Sequence, residues 1–316
     1  MSKKDVFHAI KPSTVLILLT PIILFLLYIA LYLAIEWGLG ISTTFVENSD
    51  LFDGESYTRL DETLNRSAWG ISLIISGITN LFLLAYCIYF IVSFKNDYAY
   101  RKVVLAIIFI SGAVIWGSIL FADLGGGIAE KLYQKIDGIT DVVHFRTVIN
   151  ISAGTGYLSV YFVAVLLSFL CFKVRNSKYL DAAKYLRIYK TVFYIMVTFL
   201  SVTIVQLFLQ YQWLTIFINN NDIAVKSLTK VYPLIMSVFY VGIVVTLFVP
   251  TTELLKRLVV VSSEKDRSAI SEAKIHELFP KLSGASGLLE NLKSLALFLA
   301  PILTVILADS ISAILI

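Results

Sequence analysis

Seven long apolar runs, separated by short polar stretches, dictate what this chain can fold into. The runs lie at about Val15–Leu39, Trp69–Phe94, Val103–Ala122, Ile149–Phe172, Thr191–Leu214, Val231–Val249 and Leu295–Ile316. About 20 apolar residues in a helix, at roughly 1.5 Å each, cross the ~30 Å hydrocarbon core of a bilayer. A span in lipid must satisfy its backbone internally, so each run is expected to be a helix. With 58% hydrophobic and 15% charged residues in 316, and the charges gathered between the runs, a soluble domain is excluded. The fold expected is all-α: a polytopic helical membrane protein of about seven spans, one transmembrane domain over 1–316. The bilayer is its first partner, in a plasma membrane or a bacterial inner membrane. The first run follows Lys3, Lys4 and Lys11 but exceeds a signal-peptide core and lacks a small-residue cleavage site, so it reads as a retained span.

Lysine and arginine give the direction of threading. With the N-terminus in the cytoplasm, the inner segments hold 19 of the 26 basic residues and the outer segments 7. The positive-inside rule therefore favours N-inside and C-outside. G-protein-coupled receptors and microbial rhodopsins run the other way, and the last run lacks the lysine that a retinal Schiff base needs.

The segments between the runs carry less. Outer segment 41–68 is acidic, with Glu47, Asp50, Asp53, Glu55, Asp61 and Glu62, and reads as a solvated loop or a protein-docking surface. Its Asp53-Gly54-Glu55 fails the EF-hand pattern, because that register would begin at Ser49 and end at Leu60. Asn65-Arg66-Ser67 is a glycosylation sequon. Gly125-Gly126-Gly127 precedes Ile128, Leu132 and Ile136 at helical spacing, an expected interfacial helix. On the inner side, 173–190 is expected to continue the fourth and fifth spans as helix. Segment 250–293 should form a small cytoplasmic helical layer, with the sixth span prolonged and Ser262 or Ser263 capping a second helix that ends at Pro280. That segment is a second candidate surface for a protein partner.

Catalytic and cofactor chemistry leave marks that are missing here. His276-Glu277 opens a zinc-protease pattern, but Pro280 stands where its second histidine belongs. His8, His144 and His276 are far apart, which argues against a metal cluster, and no phosphate-binding glycine loop occurs. Cys87 and Cys171 lie near the inner ends of spans and read as packing residues. The basic residues form no long face, so nucleic acid is not an expected partner. No enzyme activity, cofactor or metal is expected.

What is left is polar residues inside the spans. In Leu295–Ile316, Ala296, Ala300, Thr304, Ala308 and Ser312 recur every fourth residue, a ridge that lets another helix come close. Pro301 removes a backbone donor there, and Asp309 would be costly facing lipid. In the fifth run, Thr203, Gln206 and Gln210 share one stripe that must face protein or water. Two readings of these residues stand: a wet outer vestibule with Asp309 at its rim, or hydrogen bonds between helices. The expected function is a homo-oligomeric channel or pore-type protein, with the last helix near the pore and Asp309, Thr304, Ser312, Pro301, Gln206, Gln210 and Thr203 as lining candidates. Channels conduct through largely apolar constrictions and so need few charges. The alternative is a non-conducting membrane subunit, sensor or immunity-type partner. In arrangement alone the chain is similar to insect odorant and gustatory receptor channels, without their sequence signature.

Overall fold

The computed structural model describes residues 22–24, 27, 59–93, 112, 145–176, 179–216 and 223–265. Four helices make up almost all of this: α1 (Arg59–Ser93), α2 (Phe145–Asn176), α3 (Tyr179–Thr215) and α4 (Ile223–Lys265). Each contains a stretch long and apolar enough to cross a membrane. The described chain is thus all-helical, with four candidate spans that match the second, fourth, fifth and sixth apolar runs. The first run beyond residues 22–24 and 27, the third beyond 112, the whole of 295–316, the expected helix near 128–136 and residues 266–293 lie outside the described residues.

All four helices outrun the runs that seeded them. At 35, 32, 37 and 43 residues they reach about 48–65 Å, well beyond a ~30 Å hydrocarbon core. Helix α1 starts at Arg59, ten residues ahead of the run, so the end of the acidic segment is helix and not loop. Glu62 sits in its first turn, where the helix dipole favours negative charge, and pairs with Arg66 at 3.4 Å one turn on. Helices α2 and α3 do continue through 173–190, as the sequence suggested, and are parted by two residues only. Helix α4 passes straight through Ser262 and Ser263 to Lys265, so neither caps a new helix at that point. The preceding Leu254–Val261 stretch supplies a growing helix, which adds residues readily once nucleated, and serine is only a mild opponent of that growth.

Helix directions follow from which residues meet. On α1 and α3, Trp69 stacks on Trp213 and Ser76 meets Thr203, so rising numbers on one helix meet falling numbers on the other. The two are antiparallel. Helices α2 and α3 form an antiparallel hairpin, with Phe199 beside Gly156 and with Cys171 and Leu186 in one cluster. Helices α3 and α4 are antiparallel too, pairing Tyr211 with Tyr232 and Tyr189 with Phe248. Consequently α1, α2 and α4 run one way and α3 the other. Helix α3 packs on all three, α2 also touches α1 and α4, and α1 and α4 sit on opposite sides of the central α2–α3 pair.

Helix α2 is central because it is apolar all round: from Val160 to Cys171 nearly every side chain is buried. Helix α1 is the reverse of a soluble amphipathic helix. Its buried face carries Trp69, Ser72, Ser76, Asn80, Leu83 and Cys87, and its outer face carries Ile71, Ile74, Ile78, Leu81, Phe82 and Tyr89. Small and polar side chains inside, large apolar ones outside, is the arrangement that lipid permits and water does not. A second, smaller core joins the α2–α3 hairpin end to α4 through Cys171, Val174, Leu186 and Leu255.

Helix α4 carries two prolines, Pro233 and Pro250, within unbroken helix. Each lacks the N–H that would reach the carbonyl four residues back. The carbonyl that Pro250 leaves without its N–H is that of Thr246, and the hydroxyls of the next turn bond the two carbonyls after it. Thr251 Oγ1 donates to the Leu247 carbonyl at 2.5 Å, Thr252 Oγ1 to that of Phe248 at 2.7 Å, and Tyr189 Oη reaches the same Phe248 oxygen from α3 at 3.1 Å. Tyr189 and Thr252 are also hydrogen-bonded to each other.

Candidate functional site

Polar side chains concentrate where α1 faces α3. Helical spacing produces this directly: Ser72, Ser76 and Asn80 recur every fourth residue on α1, and Thr203, Gln206 and Gln210 lie three and four apart on α3. All are within candidate spans. Ser72, Ser76, Asn80, Gln206 and Gln210 are buried, so each must find a partner in the protein or carry the cost of desolvation.

Most of the hydroxyls do find one. Ser72 Oγ donates to the Trp69 carbonyl at 2.6 Å and Thr203 Oγ1 to the Phe199 carbonyl at 2.9 Å. Ser76 Oγ lies 3.4 Å from Thr203 Oγ1. Since the Thr203 proton goes to Phe199, Ser76 is the donor in that pair. Deeper along α1, Ser159 of α2 donates to Asn80 Oδ1. Gln206 differs: it is 5% exposed, and its Oε1 has no hydrogen-bond partner among the described residues. Gln210, one turn away, is 1% exposed and is engaged.

Aromatic residues close the seam at one end. The Trp69 and Trp213 rings stack with centroids 5.2 Å apart and planes 11° apart, and Trp213 Nε1 donates to Glu62 Oε1 at 3.3 Å. Tyr211 and Tyr232, 4.9 Å apart, tie the same end of α3 to α4. Amphipathic rings with a polar handle suit a headgroup boundary.

Of the residues singled out from sequence, Thr203, Gln206 and Gln210 occupy one face of α3, and Thr203 reaches α1. Asp309, Thr304, Ser312, Pro301, Ala296, Ala300 and Ala308 lie outside the described residues. Ser72, Ser76 and Ser159 are not singled out by the sequence alone. The every-fourth-residue rhythm from Ser72 to Asn80 was the available signal. Glu62, read as loop, belongs instead to the helix and to the Trp213 contact. Cys87 and Cys171 are both buried and both free. Among the described residues no three of His, Cys, Asp and Glu come together. No protein-family model matches the chain, and neither does any curated protein or solved structure.

Proposed function

We propose that the chain is a non-enzymatic, homo-oligomeric channel or pore-type membrane protein of seven spans, passing ions or small solutes with its last helix near the pore. The observation that carries the reading is an uncharged polar seam enclosed within helices whose outward faces are apolar. Such a bundle offers a hydrophilic interior at membrane depth with, among the described residues, no mid-membrane ion pair or carboxylate relay, which suits passive conduction better than coupled pumping. The span count is supported by helix direction. Helices α1 and α2 are parallel, so in a bilayer the stretch joining them crosses an odd number of times, as one span at 103–122 would do. The hairpin end carries Lys173, Lys184, Arg187 and Lys190, together with Lys256 and Arg257 beyond Leu255, which supports placing that end in the cytoplasm.

A specific observation favours a second reading, a non-conducting subunit or sensor that docks a partner through 250–293 or through 41–68. The Ser76–Thr203 and Asn80–Ser159 pairs run from helix to helix, as polar residues do when they serve only as glue. One measurement separates the two. Purified chain in liposomes should pass ions or small dyes, and Asp309→Asn should change the selectivity of that flux. Silence under every stimulus tried, with a stable partner recovered on pull-down, would replace the channel with the subunit.

A further inference from the structure

Gln206 supports an inference that holds for a conducting and a non-conducting chain alike. The residue lies between two contacts to α1. At about 100° per residue it is about 60° round α3 from Thr203 and about 20° from Trp213, and both of those side chains touch α1, at Ser76 and at Glu62 and Trp69. Gln206 therefore faces α1 between the tryptophan stack and the hydroxyl pair. At that level α1 presents Ser72, which lies between Trp69 and Ser76 on the same buried face.

The hydroxyl protons at this level are all committed. Ser72 donates to the Trp69 carbonyl, Thr203 to the Phe199 carbonyl, and Ser76 to Thr203. Their oxygens keep acceptor capacity, since a hydroxyl has two lone pairs and one proton. The Gln206 Oε1, on the face of α3 turned to them, is buried with no donor among the described residues. A carboxamide oxygen left so, at membrane depth, costs several kcal/mol by transfer to a medium that cannot hydrogen-bond, or about 1–3 kcal/mol by protein mutagenesis. A cation does not fit, because no carboxylate is among these groups and an oxygen-only cation site takes about six or more ligands. Water does fit. It needs two to four polar partners, and it serves the amide in either of its two flips because it both donates and accepts.

We propose that an internal water is bound between α1 and α3 at Gln206, donating one proton to Oε1 and the other to a spare lone pair of one of the Ser72, Ser76 and Thr203 hydroxyls. The α1–α3 seam is then hydrated at one point inside the bilayer, and Gln206 is a water-binding residue and not an orphaned amide.

Two measurements on the full chain in detergent or nanodiscs test this. Radiolytic hydroxyl-radical footprinting, which oxidises side chains next to bound water, should label the buried Trp69, one turn from Ser72 on the same face, in the unaltered chain and label it at least about threefold less in Gln206→Met. Thermal unfolding of Gln206→Met, which keeps the volume and removes the amide, should show a Tm lower by about 2–4 °C, because a satisfied hydrogen bond is lost. An orphaned amide gives the opposite sign, since deleting a buried polar group without a partner stabilises. Protection of Trp69 in the unaltered chain, or an unchanged or raised Tm in the variant, overturns the proposal. The footprint of the unaltered chain decides by itself if the variant does not fold.

Discussion

Individual side chains in this bundle act through hydrogen bonds that lipid cannot replace. Asn80 and Ser159 illustrate how much such a bond contributes. Both are buried, and Ser159 donates to the Asn80 amide oxygen across the α1–α2 boundary. Bonds between membrane helices contribute less than their setting suggests, because the separated helices also find partners. A double-mutant cycle with Asn80→Ala and Ser159→Ala should therefore give a coupling energy of about 0.6 kcal/mol, and no more than about 2 kcal/mol. Reversible unfolding in mixed detergent measures it, and zero coupling would mean the two side chains do not pair. Tyr189 makes a more demanding case. Its hydroxyl meets the Phe248 carbonyl and Thr252 just before and after Pro250. Tyr189→Phe keeps the ring against Phe248 and removes only the hydroxyl, so it should cost about 0.5–1.5 kcal/mol. In a chain that also carries Pro250→Ala, which returns an N–H to the Thr246 carbonyl and leaves the Phe248 carbonyl and Thr252 as they are, the same change should cost as much. A smaller cost in that background would tie Tyr189 to the proline.

Helix against helix, the deciding quantity is how closely two backbones approach. A β-carbon built on Gly156 would sit 3.6 Å from Phe199 Cζ, whereas Gly70 and Gly77 face nothing within 4 Å. The 3.6 Å contact is ordinary van der Waals packing, so Gly156→Ala should be tolerated. Gly156→Leu would push α2 from α3 and should lower stability by about 1–3 kcal/mol as overpacking does. The same leucine at Gly77, beside the outward Ile74 and Ile78, should be neutral or mildly stabilising, since glycine is the poorer helix former. Unfolding midpoints of the three variants check the order, and a tolerated Gly156→Leu would show the hairpin looser than described. Existence and type of these elements were legible in the sequence, because long apolar runs admit no other backbone in lipid. Their ends were not. Helix propensity beyond the apolar run is set by dipole, ion-pair and packing terms such as Glu62–Arg66, which hydropathy does not see. Half of the seam was legible as well: glutamines stand out in an apolar run, while serines at a four-residue spacing pass for small packing residues until a facing helix shows what they meet.

At the scale of the whole molecule, geometry and charge constrain each other. The contacts leave α3 antiparallel to α1, α2 and α4, a relation that holds whichever way the bundle is inserted. Direction across the bilayer comes only from charge. Each Lys or Arg held near an anionic cytoplasmic leaflet contributes about 1 kcal/mol. The α2–α3 hairpin end has Lys173, Arg175, Lys184, Arg187 and Lys190, with Lys256, Arg257 and Lys265 of α4 on the same side. The tryptophan end has Arg59, Arg66, Arg146, Lys226 and Lys230, so eight basic residues against five favour the hairpin end on the inside by about 3 kcal/mol. With Cys87 and Cys171 replaced by serine, a single cysteine at position 177, between α2 and α3, should react with a membrane-impermeant maleimide only after the cell is opened. One at position 219, between α3 and α4, should react in intact cells. The reverse pattern would turn the whole bundle over, carrying 250–293 to the outside and 41–68 to the inside, while leaving every helix contact as it stands. Labelling of both positions from one side would be worse, because no bundle with α3 antiparallel to its neighbours across a bilayer can produce it.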